Sequence, residues 1–202
     1  MGAGGIEIDV YSLGGELIVI HDTRLERTTN GRGLLRRRTL DEIRSLDAGK
    51  GERIPLLREV IEAIGRRALL NIELKGPRTA APVADLLREY LARGWSAEDF
   101  LISSFRRGEL RQLRDSGFRT GLLFGRSPRL FRRAARTLGV WSIHVPIQHV
   151  TGGLVQRVHK DGRKLFVFTV NERSDMERME RLGVDAIFTD YPDRWTGEPG
   201  LI

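Results

Sequence analysis

Ile6-Glu7-Ile8-Asp9-Val10 is a β-branched run carrying two carboxylates two residues apart. Side chains alternate along a strand, so Glu7 and Asp9 point to one face. Asn71-Ile72-Glu73-Leu74-Lys75 repeats the spacing, with Glu73 and Lys75 on a shared face. A third cluster, Ile20-His21-Asp22, closes another apolar run. Each cluster places polar groups at the end of a strand-like segment. Gathering three acids is unfavourable unless a cation sits among them.

Working outward, β-rich runs at 6–10, 17–21, 69–74, 100–104, 120–124, 140–145, 165–170 and 186–189 alternate with helical patterns at 56–64, 82–93, 108–115, 128–138, 153–160 and 174–182. Gly94, Gly117, Gly139, Gly162 and Gly183 each follow a helical run, where glycine closes a helix most readily. Strands alternating with helices argue for a parallel sheet, since each parallel pair needs a crossover. The segment 17–21 follows 6–10 across Ser12-Leu13-Gly14-Gly15, too short for a crossover, and reads as an excursion. Seven regular strands remain. They predict an α/β fold, a TIM (β/α)8 barrel lacking its first β/α unit, as one domain over residues 1–202. An open doubly wound sheet is the competitor, but no Gly-rich nucleotide turn follows the first strand.

The 202 residues include 34 Lys plus Arg and 27 Asp plus Glu, a net charge of +7. The arginines are scattered over helical segments and interleaved with acids, as in Glu177-Arg178 and Glu180-Arg181, which reads as solvated faces rather than a nucleic-acid surface. Arg36-Arg37-Arg38 is the only run of three. There is no cysteine, which removes disulfides and thiolate metal sites, and no apolar stretch approaches a membrane span. No signal peptide is visible; the cytoplasm is the default location, and any export signal would stand upstream of Met1.

Three carboxylates from two adjacent strands suit a hard divalent cation bound through oxygen, Mg²⁺ or Ca²⁺. Glu7, Asp9 and Glu73 are the candidate ligands, against the plainer reading of a charged, solvated strand edge. His21 emerges onto a loop and suits proton transfer near neutral pH; the alternative is an imidazole satisfied by Asp22. Lys75 can neutralise charge on a phosphate, or pair structurally with Glu73. Gly31 and Gly33 read as a turn more than a phosphate cradle. His144 at a strand end could face the mouth, whereas His159 reads as surface or packing. No Gly-x-Ser-x-Gly elbow or cysteine nucleophile is present.

These segments together resemble the glycerophosphodiester phosphodiesterase family, barrels of the PLC-like phosphodiesterase type. The matching residues are Gly5 to Val10, His21 to Gly33, Leu46-Asp47-Ala48-Gly49, Ile54 to Val60, Asn71 to Lys75, Ser103-Ser104-Phe105, Thr169-Val170-Asn171 and Gly183 to Pro192. The resemblance implies metal-dependent hydrolysis of glycerophosphodiesters to sn-glycerol 3-phosphate and an alcohol, in glycerol and lipid metabolism. It implies Glu7, Asp9 and Glu73 as metal ligands, His21 as one of two acid/base histidines, and Lys75 as a phosphate contact. Phe168 stands where the family usually has Trp, on the substrate wall.

The family opens with a His-Arg-Gly segment and a Pro-Glu-Asn-Thr-like segment, and neither stands in this sequence. The resemblance thus implies an N-terminally shortened member, without the second histidine. That absence would cost about 10²–10⁴ in rate. It also implies unpaired edges on the strands at 6–10 and 186–189, through which copies would associate. An inactive barrel kept as a binding module, and a related barrel phosphodiesterase acting on phospholipids, are the rival readings.

Overall fold

The computed structural model describes residues 3–125 and 131–195. Among these described residues, eight strands form one sheet: β1 (Gly5–Leu13), β2 (Glu16–Val19), β3 (Leu69–Leu74), β4 (Phe100–Ser104), β5 (Arg119–Leu123), β6 (Ser142–Pro146), β7 (Lys164–Phe168) and β8 (Ala186–Ile187). Their order is β2-β1-β3-β4-β5-β6-β7-β8, and every pair except β1–β2 is parallel. Seven parallel staves therefore run in sequence order, as the strand count predicts.

Strand alternation builds two cores. Outward residues Val10, Leu70, Ile72, Leu74 and Ile102 pack with Leu57 and Ile61 of α2 (Leu57–Ile64) and with Val83 and Leu87 of α3 (Ala80–Ala92). On the far side Ile143, Val145, Leu165 and Val167 pack under α5 (Phe131–Leu138), α6 (Gly152–Lys160) and α7 (Arg173–Leu182). Residues of the other parity, Leu101, Phe166 and Ala186 with Leu69 and Phe188, meet inside. Since β3 and β4 meet β7 and β8 there, the sheet is curled into a barrel wall. All five predicted closing glycines adopt positive φ, Gly183 at 73° among them. The predicted helix 128–138 is present from Phe131; its first three positions lie outside the described residues.

The excursion is corrected in one respect: 17–21 is not set apart from the sheet. Gly14 and Gly15, with φ of 59° and 86°, make a two-residue hairpin that returns β2 antiparallel along Val10–Leu13. Ile20 N–H also donates to the Asp9 carbonyl at 3.0 Å. The expectation of a wholly unpaired edge at 6–10 therefore holds only below Asp9, because the hairpin covers the rest. Residues beyond it fold over a small core of Ile18, Ile20, Leu25, Leu35, Ile43 and Ile54. This patch includes α1 (Leu40–Arg44), opened by a Thr39/Glu42 capping box. At five residues that helix is too short for periodicity to reveal.

Candidate active site

Glu7, Asp9 and Tyr11 leave β1 on the inner face, and Asn71, Glu73 and Lys75 leave β3 beside them. The parallel register sets Glu7 opposite Asn71 and Asp9 opposite Glu73. Carboxylate oxygens of Glu7, Asp9 and Glu73 all lie within 4.8 Å of one another. Lys75 Nζ sits 3.3 Å from Asp9 Oδ1 and 3.2 Å from Glu73 Oε1. The ion pair weighed as an alternative for Lys75 is therefore formed, with two partners rather than one. These groups open into a cavity of about 1060 Å³ that is also lined by His21, Phe105 and Phe168.

The electrostatics follow from crowding. Glu7 is solvent-exposed where it lines the open cavity, yet crowding by the surrounding protein, followed by repulsion from Asp9 and Glu73, pushes its carboxyl up from 4.5 to about 8. Burial likewise raises Glu73, opposed by Lys75. Lys75 is itself raised: burial lowers it, but Glu73 and Asp9 together outweigh that loss. One ammonium cannot neutralise three carboxylates. Glu73 Oε1 is buried and receives no well-aligned hydrogen bond, and Asn71 Oδ1 beside it has none either. An all-oxygen donor set beside the unpartnered, buried Asn71 Oδ1 fits a hard divalent cation.

His21 sits at the mouth, its side chain 60% exposed. Its Nδ1 lies 2.5 Å from Asp22 Oδ1, and Asp22 is held in turn by Arg27 through Nε at 2.5 Å. The Arg27 and His21 bonds keep the Asp22 carboxyl well below its ordinary range. Tyr11 hydroxyl donates to the His21 carbonyl at 3.3 Å. Asp22 was legible as a partner of His21; Arg27 and Tyr11 were not singled out. Parity would have found Tyr11, two residues beyond Asp9 on the same face. Phe168 meets Phe105 edge to face at 6.1 Å, forming an aromatic wall.

The other candidates differ in placement. His144 belongs to the cavity lining but lies below the mouth, fully buried on the inner wall, bonded to Ser142 Oγ at 2.8 Å and stacked on Phe166. His159 bonds Asp185 at 2.7 Å, away from the cavity lining. Gly31 packs against Leu46 in the small core, as a turn residue.

Residues 1–194 match the profile of the Glycerophosphoryl diester phosphodiesterase family. The chain belongs to that family. As a glycerophosphoryl diester phosphodiesterase family member it is 38% identical over 205 residues to the glycerophosphodiester phosphodiesterase of Caldanaerobacter subterraneus subsp. tengcongensis, covering 96% of this chain and 84% of that one. Its fold is similar to an Oleispira antarctica phosphodiesterase solved in complex with the product sn-glycerol-3-phosphate (TM-score 0.84, 30% identity, 94% and 82% covered). It is also similar to a glycerophosphodiester phosphodiesterase from Agrobacterium tumefaciens (TM-score 0.80, 29% identity, 95% and 86% covered). The family barrel anticipated from the strand pattern is thus the fold of this chain. Among the described residues no helix is long and apolar enough to cross a membrane.

Proposed function

We propose that this chain, as one domain over residues 1–202, hydrolyses glycerophosphodiesters to sn-glycerol 3-phosphate and an alcohol with the help of Mg²⁺ or Ca²⁺. The observation that carries the reading is the inward-facing trio Glu7, Asp9 and Glu73, within 4.8 Å, at the mouth of a family barrel. The product bound to the Oleispira antarctica relative supports the choice of glycerol 3-phosphate.

Glu7, Asp9 and Glu73 hold the cation, which when bound supplies positive charge to the phosphate and lowers the pKa of the attacking hydroxyl. Lys75, 22% exposed and lining the cavity, meets the phosphate and offsets charge that builds on it. Asp22 fixes Nδ1 of His21, leaving Nε2 to exchange a proton with the nucleophile or the leaving group. Phe105 and Phe168 supply an aromatic wall of the cavity against which the substrate packs.

The test is glycerol 3-phosphate release from glycerophosphocholine, with and without EDTA, on the wild type and E73A. Metal-dependent release that E73A abolishes is expected. Release that survives both EDTA and E73A would overturn the reading.

A further inference from the structure

The backbone that carries Lys75 is held from a neighbouring unit of the barrel. After β3 the chain turns through Gly76-Pro77-Arg78-Thr79 into α3, with Arg78 in the left-handed region at φ 58°. Thr79 is the N-cap of α3, yet its side chain makes no cap bond; its hydroxyl donates to the Gly76 carbonyl at 3.0 Å instead. The opening amides of the helix need another acceptor.

Glu109, on α4 (Arg107–Gln112), is that acceptor. It is 6% exposed and takes three consecutive amides: Arg78 N–H at 2.9 Å on Oε1, and Thr79 N–H at 2.9 Å and Ala80 N–H at 2.8 Å on Oε2. A charged acceptor at the start of a 13-residue helix also meets its positive end. The same segment grips the turn at its other end. Arg106 Nε donates to the Lys75 carbonyl at 2.7 Å, and Ser104 Oγ donates to the Leu74 carbonyl at 2.7 Å. Residues 104–109 thus clamp both sides of Lys75. A local Ser or Asp cap would satisfy α3 alone; a buried carboxylate from α4 ties the turn to the next stave as well.

We propose that Glu109 is a positioning residue for Lys75, holding the 76–79 turn so that the ammonium stays between Asp9 and Glu73 and within reach of the phosphate. The proposal rests on the reading of Lys75 as the phosphate contact. A misplacement of about 1 Å at such a group can lower a rate about 10²-fold.

The test is a double-mutant cycle of E109A and K75M, reading affinity for sn-glycerol 3-phosphate by calorimetry, with E109Q as the variant that keeps shape and one acceptor oxygen. E109A is expected to weaken binding roughly 10-fold in the wild type, less than about 2-fold in K75M, and E109Q to fall between. Losses that multiply in the double variant would overturn the proposal. If K75M alone binds as tightly as the wild type, the phosphate role of Lys75 fails, and hydrogen exchange still decides on Glu109. E109A should speed exchange at residues 75–80 while β6 and β7 keep their protection; unchanged exchange at 75–80 would refute the clamp.

Discussion

Lys75 Nζ stands 3.2 Å from Glu73 Oε1, a buried oxygen that accepts no well-aligned hydrogen bond. The ion pair leaves lone-pair capacity on the carboxylate unused. With Glu7 and Asp9 inside the same 4.8 Å cluster, negative charge exceeds what one ammonium balances. A divalent cation should therefore bind the folded chain and stabilise it. At a free concentration of 100 times its Kd the gain is about 2.7 kcal/mol. Thermal unfolding with Mg²⁺ or Ca²⁺ against EDTA checks this, and E73Q should remove most of the shift. A wild-type midpoint indifferent to both ions would refute it.

Without metal, stability should fall as pH rises. Glu7 titrates near 4.5 when unfolded and at about 8 when folded, so between these values the folded chain keeps a proton that the unfolded chain has lost. Folding is thus progressively disfavoured across that window, and the slope flattens above it. The raised Glu73 acts in the same direction. Urea midpoints in EDTA from pH 5 to 9 should decline for the wild type and less steeply for E7Q; equal slopes would contradict the assignment.

Replacing His21 by Ala should lower kcat by about 10²–10⁴ with the fold intact. Removing Asp22 as Asn should lower it less, because the imidazole remains but its Nδ1 partner and the Arg27 bridge are weakened. Steady-state turnover of both variants, beside matched circular-dichroism spectra, separates the two losses from any loss of fold. Wild-type turnover in H21A would exclude His21 from the chemistry.

Gly121 marks a packing limit on the inner wall. A Cβ there would lie 2.5 Å from His144 Nε2, 2.8 Å from its Cε1 and 2.9 Å from Ser142 Oγ. G121A should destabilise the chain by about 1–3 kcal/mol through overpacking. H144A, which clears the space, should recover part of that loss in the double variant. Denaturant midpoints of the three variants decide, and a neutral G121A would show that the His144 ring shifts freely.

Much of this was legible before the fold. Glu7 with Asp9 and Glu73 with Lys75 announced themselves because strand parity is local: residues two apart must share a face. The hairpin was misjudged because nothing in 17–21 says which edge it covers; the two positive-φ glycines make the turn, but only packing on β1 makes the strand. His144 shows the same limit, since a strand end says nothing of depth. Glu109 was invisible as a functional residue, being 29 to 31 positions from the amides it holds.

The sequence by itself determined the strand count, the alternation of layers and the inward acids, because these follow from periodicity and the steric preferences of neighbours. Tertiary structure decided which strand neighbours which and in what register. That register brings Asp9 beside Glu73, sets Lys75 between them, and leaves His144 walled in by Phe166. Such meetings depend on how the sheet curls, and curling is a property of all the packed layers together rather than of any one run.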